Sequence, residues 1–319
     1  MSKFKQADLS KIKTITLRAR KSKVSLGDFG RVYDPRRQPF SDFIKSLPHI
    51  LVGEDLRLFA RDIIHARRRK KSVIFMLGAH VVKVGLSPLI IDMLRKNIIT
   101  AVAMNGAAAI HDVEIARSGK TSEDVEEYIA DGRFGMVGET GSFINYSLKG
   151  GYDKGHSGFG EAIGVSLQRA QYKKASILAV CYSLGIPATV HSAIGTDIIH
   201  QQPTMDGGIT GEMTFRDFKI LCEVVRGINN GGIVANIGSA VILPEVFLKA
   251  LTVARNLYPP VKSFTTANFD MIQHYRPRMN VVQRPTRDGK KGYLFTGHHE
   301  IMIPLLFAMI NSISNVRKR

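Results

Sequence analysis

The chain has 319 residues, of which 44% are hydrophobic and 23% charged, so it can bury a substantial core and has the composition of a globular protein. No stretch approaches the roughly 20 uninterrupted apolar residues that a transmembrane helix needs, and the first residues lack the apolar segment of a secretory signal. We therefore expect a cytoplasmic protein that does not associate with membranes. Cys181 and Cys222 fall in apolar segments of helical character and are expected to be buried free thiols.

The charge is strongly basic and unevenly distributed. Lys and Arg number 45 against 27 Asp and Glu, which leaves a net charge of +18. Residues 1–71 alone hold 19 basic and 7 acidic residues, and basic clusters recur at 66–71, 284–291 and 316–319. Such patches can attract nucleic acid or anionic substrates, or they can remain solvated without a partner. No aromatic platform, zinc-finger spacing or RNA-binding signature accompanies the charge, so no motif supports nucleic-acid binding.

The chain divides into three parts by composition. Residues 1–50 are polar, basic and punctuated by prolines, and they predict a basic N-terminal arm that wraps over a core or a partner subunit. Residues 51–313 are predicted to form a single domain, which begins with a helix over 56–71. Residues 314–319 form a basic tail.

From residue 72 onward, predicted strands and helices alternate. This pattern predicts an α/β, Rossmann-like fold with a doubly wound, mostly parallel sheet and helices on both faces. The Gly-rich stretch 138–161 is predicted to be a long, partly mobile loop. Strands are predicted at 72–77, 99–105, 186–193, 231–238 and 261–269, helices at 87–97, 106–119, 175–185, 215–228 and 243–256, and a last strand–helix pair at 293–313.

Ligands of doubly wound sheets bind beyond the carboxyl ends of the strands, so the residues that follow each strand are the candidates for a site. Small residues recur there, as expected where a backbone or a helix N-terminus approaches a ligand. None of these turns is a GxGxxG fingerprint, but together they favour a cofactor crevice. The candidates are Gly78, Ala79, His80 and Lys83; Asn105, Gly106 and Ala107; His191, Ala193, Thr196 and Asp197; Gly238 and Ser239; Thr266, Ala267 and Asn268; and residues 296–300.

Three groups of polar residues allow more than one interpretation. His191, Asp197 and His200 could bind a metal, but crevice-lining polar residues explain them better. His111 and Asp112 are either functional or ordinary first-turn residues of a helix. His298, His299 and Glu300 lack the i, i+4 histidine spacing of a zinc protease helix, so we predict that one histidine faces the crevice and the other packs or pairs.

Several motifs together resemble deoxyhypusine synthase. The segment GAHVVKVGLSPLIIDMLRKNIITAVAMNGAAAIHDVEIA (78–116) resembles the part of that family in which a loop, a helix and a Thr-Ala-Gly-Gly strand end contact NAD. Four further stretches follow in the family's order, so the resemblance extends over about residues 72–310. They are SILAVCYSLGIPATVHSAIGTDIIHQQP (176–203), GIVANIGSAVILPEVFLKAL (232–251), FTTANFD (264–270) and FTGHHEIMIPLLFA (295–308).

The resemblance implies an NAD pocket at the strand ends and a homotetramer with active sites at subunit interfaces. Some of the matches are loose, since His80 replaces an Asn, His111 replaces a Glu, and Asp197 aligns only with a gap. The positions that fall where the family touches NAD are Ala79, His80, Asn105, Gly106, Ala107, His111, Asp197, Gly238, Ser239, Thr266, Ala267 and His298.

The catalytic part of the family's pattern is missing. This chain has no Trp and therefore no Trp-Gly-Lys motif, which carries the covalent substrate in that family. The family's acidic polyamine site is replaced by Arg276, Arg278, Arg284 and Arg287, with Pro244 and Glu245 where the family has two histidines. Lys290 and Lys291 nearby lie in a basic turn and are expected to be solvated. Guanidinium groups bind carboxylates or phosphates, so we expect an anionic substrate held by Arg276, Arg278 and Arg284 together with Glu245.

The leading hypothesis is an NAD-dependent enzyme of the transferase type, related to deoxyhypusine synthase, that transiently oxidises a substrate and then transfers or eliminates a group. His299 or His111 is the expected acid/base, and Lys83 or the arginines anchor the substrate. One alternative is a non-catalytic nucleotide-binding or nucleic-acid-associated protein. A weaker alternative is a metal-dependent hydrolase that uses His191, Asp197, His200 or the pair His298 and Glu300.

Overall fold

A computed structural model describes residues 3–287 and 291–315, with side chains through residue 313. The basic tail VRKR (316–319) and Lys290 therefore lie outside the described residues. The chain forms two compact units, Met1–Glu54 and Asp55–Arg319. The first contains two short 3-10 turns, helix α1 (Phe40–Ser46) and the start of helix α2 (Leu51–Arg68).

The second unit is built around a six-stranded, all-parallel sheet. Its strands are β1 (Val73–Leu77), β2 (Ala101–Asn105), β3 (Ala188–His191), β4 (Ile233–Ile237), β5 (Thr265–Asp270) and β6 (Gly292–Thr296). They lie in the order β3-β2-β1-β4-β5-β6, so strands β1 to β3 extend the sheet in one direction and β4 to β6 in the other, with the switch point between β1 and β4. This confirms the predicted Rossmann-like α/β fold.

Helices connect the strands. They are α3 (Ala79–Lys83), α4 (Ser87–Arg95), α5 (Gly106–Ser118), α6 (Val125–Ile129), α7 (Gly138–Asp153), α8 (Phe159–Ser166), α9 (Ile177–Leu184), α10 (Gly207–Arg226), α11 (Ile242–Leu257) and α12 (His299–Asn315). A π-helical segment, Pro277–Gln283, lies between β5 and β6. Among the described residues, no helix has both the length and the apolar character needed to span a bilayer.

Alternate side chains of each strand point to opposite faces of the sheet, and helices cover both faces. On one face, Ile74 and Met76 of β1 pack in a cluster with Leu221 of α10 and Phe247 of α11. On the other, Phe59 of α2 packs against aromatic rings of β5 and β6. Cys181 and Cys222 are buried free thiols, as predicted.

The prediction of a mobile loop at 138–161 is wrong, because most of this segment forms α7 and the start of α8. Its glycines serve close packing rather than flexibility. A Cβ on Gly141 would lie 2.4 Å from the side chain of Gln202, and one on Gly151 would lie 2.5 Å from the Cβ of Ala162. Composition alone hides this, because glycine on a helix face and glycine in a loop look the same in sequence.

Candidate functional site

The strand register defines one edge of the sheet where β1, β2 and β4 end together. Leu77 is level with Met104 of β2 and Ile237 of β4. The residues that follow these strands, Gly78, Asn105 and Gly238, therefore lie along the same edge. This edge flanks the switch point between β1 and β4, where ligands of doubly wound sheets bind.

Two predicted site glycines close the floor of the crevice between β1 and β4. A Cβ on Gly78 would lie 2.1 Å from the carbonyl oxygen of Gly238, so the two backbones approach too closely for any side chain at that position. Gly238 itself has φ +71°, in the left-handed region that glycine favours. Ser239 follows it, but its hydroxyl is buried and accepts a hydrogen bond from the amide of Leu243, 3.2 Å away.

His299 forms a wall of this crevice. Its ring is buried, and its Nε2 lies 3.0 Å from the carbonyl oxygen of Phe269, to which it donates a hydrogen bond. Its Nδ1 is buried without a partner among the described residues. The ring lies 5.6 Å from that of His80 and against Gly238. His299 thus faces the crevice, and its acid/base role stays a prediction.

His298, the neighbour of His299, is exposed to solvent, so the two adjacent histidines lie in different environments. Its side chain is 62% exposed, and its Nδ1 lies 3.7 Å from the carboxylate of Glu300. A contact of His298 with a cofactor also stays a prediction.

A cavity lies at the carboxyl end of β2. It encloses about 710 Å³ between α5, the segment around residues 120–140, and the turn at 196–198. Five predicted site residues line it: Lys83, Ala107, His111, Thr196 and Asp197. We call this cavity the β2 pocket. Its volume falls within the range of about 300–1,000 Å³ that is typical of small-molecule sites.

The first turn of α5 forms one wall of the β2 pocket and is already capped. The side chain of Asn105 accepts a hydrogen bond from the amide of Ala108, 2.9 Å away, and the carboxylate of Asp197 accepts one from the amide of Ala107. A Cβ on Gly106 would lie 1.9 Å from that carboxylate. The predicted residues therefore do come together, but the amides of Ala107 and Ala108 are not free to bind a phosphate.

Asp197 is tied to two more polar side chains. The hydroxyl of Ser192 donates to Asp197 over 3.2 Å and lies 2.9 Å from Nε2 of His200. Because Nδ1 of His200 accepts from the amides of Gly195 and Asp197, its Nε2 carries the proton and donates to Ser192. Burial raises the pKa of Asp197, partly offset by the charge of His200 and by its hydrogen bonds.

His191 lies apart from this group. It is buried and its Nε2 lies 2.9 Å from the hydroxyl of Thr189, and burial lowers its pKa to about 3. Among the residues whose structure is described, no cluster of three or more His, Cys, Asp or Glu side chains could hold a metal ion.

His111 belongs to a hydrogen-bonded chain that the sequence reasoning missed. Its Nδ1 lies 2.6 Å from the hydroxyl of Thr121, which donates to Glu114 over 2.5 Å. Thr140 donates to the other oxygen of Glu114 over 3.2 Å. The i, i+3 spacing of His111 and Glu114 on α5 was the available signal, whereas Thr121 and Thr140 are brought in by tertiary packing. The neighbouring Asp112 has a structural role, since it caps α9.

The predicted substrate residues form a separate network near the carboxyl end of β5. The carboxylate of Glu245 contacts Arg276 over 3.3 Å and accepts from Asn280 over 2.8 Å, and Lys249 pairs with it as well. Arg284 donates to Asn280 over 2.6 Å. Arg278 is exposed and lies on the same segment. Their binding of a substrate stays a prediction.

The structure corrects the predicted positions of Thr266 and Ala267. We expected them at a strand end, but β5 begins only at Thr265, so both lie inside it and are buried. Thr266 is level with Val234 of β4 and Ile74 of β1. At about 3.3 Å per residue it lies about 13 Å before the end of β5 at Asp270, too far for contact with a ligand at that edge.

Comparison with known proteins supports the fold alone. No protein-family model matches the sequence, and no curated protein matches it. A solved structure of AgrE in a ternary complex with ornithine and NAD⁺ aligns with 90% of this chain and 35% of its own, at 13% identity and a TM-score of 0.52. ArgZ, a cyanobacterial arginine dihydrolase, aligns with 82% of this chain and 31% of its own, at 12% identity and a TM-score of 0.50.

A structure described as a putative deoxyhypusine synthase from Entamoeba histolytica covers 88% of this chain and 96% of its own, at 9% identity and a TM-score of 0.49. The chain spans about a third of the length of AgrE and ArgZ. The likenesses to AgrE and ArgZ agree with the Rossmann-like α/β fold seen in the sheet, and they assign the chain to no particular family.

Proposed function

We propose that the protein is an NAD-dependent enzyme that acts on an anionic substrate by transient oxidation followed by group transfer or elimination. The observation that carries the proposal is the β2 pocket, which combines a ligand-sized volume with His111, Lys83 and Asp197 at the edge where Rossmann-like sheets bind nucleotides. The fold is shared with AgrE, which has been solved with NAD⁺ and ornithine.

The charged side chains of the β2 pocket suit the phosphates and the ribose of a dinucleotide. Because the amides of Ala107 and Ala108 are already hydrogen-bonded, phosphates would be met by the basic side chains that line the pocket: Lys83, Arg117 and Lys120. A carboxylate at the position of Asp197 can accept hydrogen bonds from ribose hydroxyls. NAD, when bound, supplies hydride-acceptor chemistry.

In this proposal His111 is the acid/base. Lys83, or the arginines near the carboxyl end of β5, bind the substrate anion. Both anchors are open to solvent, since Lys83 is exposed and Arg276 is 52% exposed at its side chain. The family resemblance adds a homotetramer as a further proposal.

Two measurements test this function. First, NAD⁺ should bind the purified protein in calorimetric titration, and nucleotide released by denaturation should be detectable by absorbance and mass spectrometry. Second, spermidine should show no NAD-dependent binding, because the site lacks the acids that a polyamine needs. Failure of NAD⁺ to bind contradicts the cofactor, and tight NAD-dependent spermidine binding contradicts the anionic substrate.

A second candidate function is nucleic-acid binding, which rests on a different surface. Residues 68–71, at the end of α2 and just before β1, are four consecutive basic residues at the opposite edge of the sheet from the β2 pocket. Within the described part of the chain, their side chains form no ion pair. Unpaired cations of this kind bind phosphate backbones without reading sequence.

Fluorescence anisotropy with a 20-nucleotide single-stranded RNA tests this candidate. A double variant, Arg68→Gln with Arg69→Gln, should weaken binding and flatten its salt dependence, whereas Arg133→Gln, whose arginine is already paired with Asp131, should not. If the RNA does not bind, or if its affinity does not change with salt concentration, the candidate function is contradicted.

A further inference from the structure

The hydrogen-bonded chain on the wall of the β2 pocket has a direction that the chemistry of its members fixes. Burial on its own would raise the pKa of Glu114, but the nearby His111 and the hydrogen bonds from Thr121 and Thr140 outweigh it and hold the pKa below its usual value. Glu114 is therefore an ionised, acceptor-only group at neutral pH. It must receive its hydrogen bonds from Thr121 and Thr140.

Thr121 has a single proton to give, and it is committed to Glu114. The oxygen of Thr121 must then accept the bond from Nδ1 of His111, 2.6 Å away. His111 in its neutral form thus carries its proton on Nδ1. Its Nε2 is left bare, and it makes no hydrogen bond within the described residues.

We propose that Glu114, acting through Thr121, is a positioning residue that fixes the Nδ1–H tautomer of His111 and so makes His111 Nε2 the proton acceptor of the β2 pocket. The inference rests on the proposed function for its ligand, a substrate whose hydroxyl or amine loses a proton during the reaction. The proton leaves that oxygen or nitrogen, which keeps the bonding pair, and forms a bond to the lone pair of Nε2.

The arrangement also accounts for the charge that this step creates. Once Nε2 is protonated, the ring is a cation, and the carboxylate of Glu114 lies 3.8 Å from Nδ1, within ion-pair distance. Both side chains are only 17% exposed, so the attraction is less screened by water than at a surface. Glu123 and Glu139 line the same pocket but belong to other contacts, since Glu123 accepts from the amide of Gly135 and Glu139 uses only its backbone carbonyl.

The tautomer can be measured directly, without knowledge of the substrate. In ¹⁵N-labelled protein, long-range proton–nitrogen spectra distinguish a protonated from a bare ring nitrogen, and His111→Gln assigns the signal among ten histidines. We expect wild-type His111 to show a protonated Nδ1 and a bare Nε2. Thr121→Val should shift His111 to a mixture or to the opposite tautomer, Thr121→Ser should keep the wild-type pattern, and Glu139→Gln should change nothing.

Two results overturn the inference: a bare Nδ1 in the wild-type protein, or no change in the tautomer on Thr121→Val. Calorimetric titration of NAD⁺ into the same samples separates this inference from the proposed function. If NAD⁺ binds but the tautomer is opposite, the positioning role of Glu114 fails alone. If the tautomer is as expected but NAD⁺ does not bind, the proposed cofactor fails alone.

Discussion

The two ends of the sheet are joined to their helices by different chemistry. Beside β2 and β3, three buried carboxylates cap helices: Asp197 at α5, Asp217 at α8 and Asp112 at α9. Beside β5 and β6, aromatic rings dominate, with Phe59, Phe269, Tyr293 and Phe295 in mutual contact.

The pocket lies in the half that contains the carboxylates. At the other end, the packed rings fill the space between α2, β5 and β6. The β2 end therefore combines an open pocket with buried titratable carboxylates, whereas the β5 and β6 end is tightly packed.

The largest effect should come from the aromatic half. Phe59→Ala removes a fully buried ring that contacts three others, and we expect it to lower the free energy of unfolding by about 3–5 kcal/mol. Phe215→Ala is the control, because Phe215 is 52% exposed, and should cost less than about 1 kcal/mol. Chemical denaturation measures both, and equal losses would contradict the contrast.

Substitutions of the adjacent histidines His298 and His299 should change the free energy of unfolding by different amounts. His299→Ala opens a cavity and removes the hydrogen bond to Phe269, so a loss of about 2–4 kcal/mol is expected. His298→Ala should stay within about 0.5 kcal/mol, because the side chain is exposed. Thermal unfolding of the two variants provides the test, and a stable His299→Ala protein would show that the histidine is not part of the packing.

The free energy of unfolding should depend on pH through a buried carboxylate beside β2 and β3. Burial raises the pKa of Asp217 to about 8, against the hydrogen bonds from the amides of Val190 and Gly160 that favour the charged form. The folded protein then holds a proton that the unfolded chain releases near 3.8, so the stability that this group adds is present at low pH and is lost as pH rises through about 8.

Between pH 6.5 and 8 we expect Asp217 to lower the stability of the wild-type protein by about 1.4 kcal/mol per pH unit, as an order of magnitude. Asp217→Asn should remove that slope, because an amide keeps the acceptor for the two amides without titrating. Urea unfolding across this pH range is the measurement. A slope that persists in the variant would assign the dependence to another group.

Much of the fold could be predicted from the sequence, because alternating apolar strands and helices allow few architectures. All six strands lie where strands were expected, although β5 starts four residues later than predicted. Thr266 and Ala267 lie within this strand and not at its end, because β5 continues to Asp270. Helix α7 was missed because its glycines are explained only by partners distant in sequence, such as Gln202.

The candidate site was predictable where strand ends define it and unpredictable where tertiary contacts do. The positions of Gly78, Asn105 and Gly238 follow from the strand-end rule. Nothing in the sequence shows that Asp197 occupies the start of α5 or that Thr121 links His111 to Glu114. Those contacts depend on how loops fold back over the sheet.

The central claim is that the β2 pocket binds NAD, and charge reversal on its rim tests it most directly. Lys83→Glu changes an exposed residue that lines the pocket, and Lys96→Glu changes a lysine at the opposite edge of the sheet as the control. Calorimetric titration of NAD⁺ should give wild-type affinity for Lys96→Glu and at least about tenfold weaker binding for Lys83→Glu, a difference of about 1.4 kcal/mol. Equal affinities of the two variants would contradict the claim.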